Sequence, residues 1–347
     1  GERVTLGTPD AGKAVTAALL WRRTRKPTLL IVARETDAQS YAEQLAAWTG
    51  GAAFLYPSHG TMPYQREAPN REVVADRLRT LAAIAGGTPV GAPLIVASAG
   101  AVASRTLAPS DLSRGPGTIS TGDHIALDQL ARQLVDGGYE LGPLVEGPGQ
   151  AARRGGLMDV FPPMRPSPIR IEFFGDEIES IRAFDPETQR TIEQLDQVSI
   201  GPAREWFAEA GDLARLAARI DDVDSEDAEA ELAALRRGEL PAPERYGPLA
   251  SESTLLDHLG RDALVILDER ETIEAAASDQ DELSEERRAD LASRNDLDAN
   301  APLPHAGRAE LVAALEAHPR RVELARWATG REVGAFRLPF ATADAYA

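Results

Sequence analysis

A strand–loop–helix junction near the start of the chain constrains its fold most. Residues 7–14, Gly-Thr-Pro-Asp-Ala-Gly-Lys-Ala, follow the apolar segment VTLG and lead into an alanine-rich stretch that reads as a helix over 12–25. The spacing is that of a phosphate loop, G-x-x-x-x-G-K. In such a loop the glycines let backbone N–H groups approach phosphates, the lysine reaches the outer ones, and a following Ser or Thr hydroxyl holds magnesium. Ala14 stands in place of that hydroxyl, and Asp10 puts a carboxylate where a triphosphate would lie. Gly7, Gly12, Lys13 and Ala14 therefore read as remnants of a nucleotide site that has lost its metal ligand. TLLIVA, a helix over 37–49, AFLYP, a helix over 71–85 and PLIVASA continue the βαβ rhythm of a parallel sheet. Their aliphatic runs lack alternation, as strands buried on both faces do.

A second trace lies far along the chain. TLLDHLGRDALVILDER supplies a helix and a buried strand over 263–267 that ends in Asp268-Glu269, like the metal-binding strand of a nucleotide hydrolase. Alone, a strand ending in carboxylates is an ordinary structural feature. Such a strand needs a parallel sheet to join, and the nearest is the first one. The two traces together point to a degenerate RecA-like, P-loop NTPase-like domain that is discontinuous in sequence, in an α/β fold with another unit inserted.

Composition sets limits on function. A chain of 347 residues, 43% hydrophobic, is expected to form two or three packed units. With 55 acidic and 37 basic residues the formal charge is -18, which repels a nucleic-acid backbone unless basic side chains cluster. The absence of cysteine removes disulfides, thiolate metal sites and cysteine nucleophiles, and the cytoplasm is the simplest location. The opening GERVTLGTPD shows no basic, then apolar, leader, and both ends read as cut from a longer chain. His59, His124, His258, His305 and His318 are scattered without zinc-site spacing and are expected at the surface or in loops. No G-x-S-x-G elbow is present. The acidic run over 221–231 reads as a solvated helical face or loop.

The character of the chain changes after Gly115-Pro116-Gly117. Over 118–203, one helix at 126–137 is followed by short strands broken by Gly, Pro and Asp, the pattern of an inserted α+β domain rich in antiparallel strands. PIRIEFF and EIESIRAF alternate apolar and polar residues around Gly175-Asp176, a hairpin signal. Alternation sends Ile169, Ile171 and Phe173 to one face and Arg170, Glu172 and Phe174 to the other. Two placements follow. Arg170 and Phe174 form exposed anchors of the kind found at protein interfaces, or Phe174 packs beneath a helix while Arg170 pairs with Glu172. RRGGLMDVFP reads as a neighbouring strand over 153–162, its Arg153 and Arg154 either a basic edge of the same surface or a solvated strand end.

At these residues a resemblance becomes specific. RRGGLMDVFP, PIRIEFFGDEIESIRAFD and PETQRT are similar to the middle domain of the UvrB-like region of bacterial transcription-repair coupling factors. The excinuclease protein UvrB itself shares RIEFFGDEIE. LYPSHGTMPYQREAPNREVVADRLRTLAAI, however, resembles the coupling factors in its MPY and RLRTL elements and lacks the tyrosine-rich DNA-gripping hairpin of UvrB. The degenerate phosphate loop and IRAFDPETQRT also follow the coupling-factor pattern. The similarity is strong over 54–202 and returns at ERYGPL and TLLDHLGRDALVILDER.

The resemblance implies three parts: 1–117 as the first part of the RecA-like domain, 118–203 as the inserted domain that binds the excinuclease protein UvrA, and 204–347 as a helical segment and the return to the RecA-like domain. It implies an adaptor without catalysis or cofactor of its own, recruiting UvrA where RNA polymerase has stalled at a lesion. Arg154, Arg170 and Phe174 fall on the family's UvrA-contact positions. ATP, magnesium, double-stranded DNA and RNA polymerase would be handled by a translocase and other regions of the parent protein. Two other readings compete: a nucleotide-dependent excinuclease helicase of the UvrB type, which needs ATP near Lys13 and Asp268, and a scaffold whose acidic run docks a basic partner.

Overall fold

The computed structural model describes residues 3–220, 226–326 and 335–338. Through the first third the chain alternates β1 (Arg3–Gly7), α1 (Asp10–Thr24), β2 (Thr28–Val32), α2 (Glu35–Thr49), β3 (Ala53–Tyr56), α3 (Arg71–Gly86), β4 (Leu94–Ser98) and α4 (Ala99–Ala103). Every residue of β2 and β4 is buried, as unalternated aliphatic runs require. Leu30, Val32, Leu94 and Val96 pack against Ala14, Ala17 and Ala18 of α1 and Leu45 of α2. Their neighbours Leu29, Ile31, Ile95 and Ala97 face the opposite way, onto Leu78 and Leu81 of α3. The period of two in each strand thus makes two cores, one per face.

The middle of the chain forms β5 (Gly117–Ser120), α5 (Leu127–Asp136), β6 (Glu140–Gly142), β7 (Gln150–Arg154), β8 (Leu157–Val160), β9 (Ile169–Phe174), β10 (Glu177–Phe184), β11 (Thr191–Leu195) and β12 (Gln197–Ile200). Six of these strands make one sheet in the order β11-β10-β9-β8-β7-β6, antiparallel except for the β6–β7 pair. Leu127, Leu130 and Leu134 of α5 cover its inner face, against Met158, Ile169, Ile171, Ile178 and Ile181. The expected single strand over 153–162 is instead a hairpin: Gly155 takes φ +59°, and β8 folds back on β7. Two adjacent glycines supply that turn without steric cost, so the segment reverses rather than extends. β5 and β12, where the chain enters and leaves this unit, pair with each other, Gly117 opposite Ile200.

Beyond it come α6 (Ala210–Ile220), α7 (Glu226–Arg236), α8 (Pro243–Ala250), β13 (Leu264–Asp268), α9 (Arg270–Ser293), α10 (Arg308–Ala317), β14 (Arg321–Ala325) and β15 (Ala335–Arg337). The helix expected just before β13 is only a 3-10 turn, Leu255–His258, closed by a reciprocal Thr254–Asp257 capping box. β13 inserts between β2 and β14, giving an all-parallel sheet in the order β15-β1-β14-β13-β2-β4-β3. Strands from both halves of the chain therefore build one sheet.

Part of the acidic run, 221–225, lies outside the described residues. Within the remainder Glu231 is not solvated: it is buried, accepts a hydrogen bond from Tyr246 Oη at 2.8 Å and pairs with Arg66. His305, expected at the surface or in a loop, lies in a loop but is buried, with Nε2 2.8 Å from Asp281. Among the described residues no helix is long and apolar enough to cross a membrane.

The connector behind β12 is fastened to the parallel-sheet unit by a buried carboxylate. Glu205 accepts hydrogen bonds from Arg77 Nε at 2.9 and 3.1 Å, Thr106 Oγ1 at 2.7 Å and His59 Nε2 at 2.6 Å. The Arg77 guanidinium also donates to Pro57 O at 2.8 Å and lies 4.1 Å over the Tyr56 ring. Burial alone would raise the Glu205 pKa, but the Arg77 charge and the hydrogen bonds from His59 and Thr106 outweigh it and hold the group at about 2. His59 is shifted below 6.5, chiefly by its own burial, so at neutral pH a neutral imidazole donates Nε2–H to this carboxylate.

Candidate functional site: a remnant phosphate loop and an exposed sheet face

The chain brings both halves of the expected nucleotide remnant together. Lys13 is buried, and its ammonium donates to Asp268 Oδ1 at 2.6 Å and Glu269 Oε1 at 2.7 Å while lying 3.1 Å from Asp10 Oδ1. An ammonium has three N–H donors, and three carboxylates surround this one. Glu269 also accepts from the Arg326 backbone N–H at 2.7 Å, Asp268 from Tyr41 Oη at 2.9 Å, and Asp10 pairs with the Arg326 side chain. Burial, then the adjacent Asp268 carboxylate, pushes the Tyr41 phenol far up, so it stays a donor.

The loop itself differs from the expectation. α1 begins at Asp10, two residues earlier than the sequence suggested, with Pro9 at the N-cap and the Gly12 N–H donating to Pro9 O at 2.8 Å. Most of the segment that would wrap phosphates is therefore already helix. Ala14 packs into the apolar layer with Leu30 and Val96, and Gly7 ends β1. Lys13, Asp268 and Glu269 form an internal ion cluster that joins α1 to the end of β13. Among the described residues no group of three or more His, Cys, Asp or Glu side chains is placed to hold a metal ion.

The second candidate is the outer face of the six-stranded sheet. Phe174 is 77% exposed at the end of β9, which excludes packing beneath a helix. Arg170 does not pair with Glu172 either. Its Nε and Nη2 donate to Asp159 Oδ1 and Oδ2 at 2.6 and 2.7 Å, and Glu172 pairs instead with Arg182 at 2.7 Å. Asp159 lies directly opposite Arg170 in the β8–β9 pairing, and Arg154 Nη2 reaches the same carboxylate at 2.5 Å. The guanidinium of Arg170 stacks 4.6 Å above the Phe184 ring and donates to Gln189 Oε1 at 2.8 Å. Its side chain is only 11% exposed, against 41% for Arg154. The Asp159 hydrogen bond raises the already high Arg170 pKa, so its charge is fixed.

Of the expected contact residues, Phe174 and Arg154 are accessible and Arg170 is largely covered. Arg153 points away from them and pairs with Asp128. Asp159 was missed in the sequence, and its signal is a carboxylate inside LMDV at the position facing outward with Arg170. Ile192, 61% exposed on the edge strand β11, was also missed.

Comparison with known proteins gives this face a context. Residues 118–206 match the family model of the UvrB interaction domain. The chain is 37% identical over 213 residues to a transcription-repair-coupling factor of Myxococcus xanthus, covering 59% of this chain and 18% of that protein. It is 32% identical over 222 residues to the one from Bacillus subtilis (63% and 18%), and 28% over 207 residues to the one from Escherichia coli (59% and 18%). The resemblance to the coupling factors found in the motifs thus extends over more than half of the chain, which spans less than a fifth of the length of these relatives.

Proposed function

We propose that this chain is a non-catalytic docking module of a transcription-repair coupling factor, and that its six-stranded sheet captures the excinuclease protein UvrA. The observation that carries the reading is an aromatic side chain left open to solvent on a folded sheet, Phe174, with the half-exposed Arg154 guanidinium on the same face. Aromatic and arginine side chains dominate the energetics of protein interfaces. The match of residues 118–206 to the UvrB interaction domain supports the same partner. The parallel-sheet unit is, in this reading, a RecA-like scaffold that hydrolyses nothing, because Lys13 is committed to carboxylates. ATP-driven translocation on DNA and engagement of stalled RNA polymerase would reside elsewhere in the parent protein.

A pull-down of purified UvrA by the 347-residue chain tests this. Phe174→Ala is expected to weaken capture by about 30-fold, corresponding to roughly 2 kcal/mol for an interface anchor, with no change in melting temperature. Undiminished capture by Phe174→Ala combined with Arg154→Ala would refute the site.

A further inference from the structure

We propose that Asp159 is the positioning residue of the docking face. It holds Arg154 and Arg170 in register so that Arg154, on the same sheet face as Phe174, meets a carboxylate on UvrA. This inference rests on the function proposed above and assigns a division of labour within it.

Asp159 is 1% exposed, yet both of its oxygens are used: Oδ1 by Arg170 Nε, and Oδ2 by Arg170 Nη2 and Arg154 Nη2. A buried carboxylate is costly unless paired, and this one is paired twice. The planar fork of Arg170, clamped on Asp159 and stacked on Phe184, has little freedom left. It acts as a strut under the surface. Arg154 contributes one N–H to Asp159 and keeps the more open side chain, so it is the arm that this strut aims.

Charge argues for the partner's chemistry. Two guanidinium groups share one carboxylate, and the neighbouring Glu172 is matched by Arg182, so the end of the face around Arg154 and Arg170 keeps one positive charge in excess, while the exposed Glu177 lies opposite Phe174 at the other end. On a chain of formal charge -18, that local excess selects an acidic rather than a basic partner surface. Phe174 at the end of the same strand requires an apolar pocket.

The test is a double-mutant cycle read by UvrA binding to the full 347-residue chain. Asp159→Asn keeps the shape and removes the charge that holds the two forks. It is expected to weaken binding about tenfold, near the loss of one anchor. In the Arg154→Ala background the same change is expected to have no further effect, because Asp159 acts through Arg154. Additive losses would instead mark a merely structural role and overturn the proposal, as would wild-type binding by Asp159→Asn. If Asp159→Asn does not fold, Arg170→Lys gives the same readout: it keeps the cation, loses the fork, and should likewise lose its effect once Arg154 is alanine. Failure of the underlying reading looks different, since Phe174→Ala and Arg154→Ala would then bind UvrA like the unaltered chain.

Discussion

Glu205 ties the connector behind β12 to α3 through Arg77, and its folded pKa of about 2 lies well below its ordinary 4.5. A depressed carboxylate pKa contributes stability that is complete above 4.5 and is lost as pH falls toward about 2. His59 acts in the same direction. Burial keeps its imidazole neutral, so below 6.5 the unfolded chain takes up a proton that the folded chain refuses. Melting temperature is therefore expected to decline gently below 6.5 and more steeply below 4.5, and a flat profile from about pH 7 to about pH 3 would contradict both assignments. Arg77→Ala leaves Glu205 buried without its cation and is expected to destabilise the chain by about 3–5 kcal/mol in urea unfolding. At this scale the sequence was partly legible. Strand parity assigned Phe174 and Arg170 to the outer face, but parity says which way a side chain leaves the sheet and not what lies over it. Phe184 and Asp159, brought in by β10 and β8, are what cover Arg170.

Element by element, strands with unbroken aliphatic runs were readable and strands without them were not. β2, β4 and β13 declared themselves by aliphatic runs that only a two-sided sheet accommodates. β14, with Arg321 and Glu323 in a five-residue strand, carries no such run, and it is a strand because β1 and β13 flank it with parallel partners. The early start of α1 has a functional consequence. A hydroxyl restored at position 14 would enter the apolar layer rather than a metal site, since Ala14 faces Leu30 and Val96. Ala14→Thr is accordingly expected to leave Mg-ATP without measurable heat of binding in calorimetry. It should also lower stability by about 1–3 kcal/mol by placing a hydroxyl in the apolar layer. Nucleotide binding by that variant would show that the carboxylates around Lys13 yield.

The whole molecule is a parallel-sheet unit interrupted by a second unit whose entry and exit strands are hydrogen-bonded to each other, β5 to β12. That closure, together with the separate core beneath α5, leads to the expectation that residues 115–203 expressed alone give a cooperative thermal transition by circular dichroism. A non-cooperative melt would mean that Glu205 and its partners are needed to hold the inserted sheet. β1 stands in the opposite situation, for its partners are β14 and β15. In the order of synthesis, Arg3–Gly7 leaves the ribosome about 300 residues before the strands that flank it, roughly 15–60 s at 5–20 residues per second. The inserted six-stranded sheet can fold inside that interval. β1 is thus seated long after it is made, and the ion cluster of Lys13 with Asp268 and Glu269 closes only when β13 has joined the sheet.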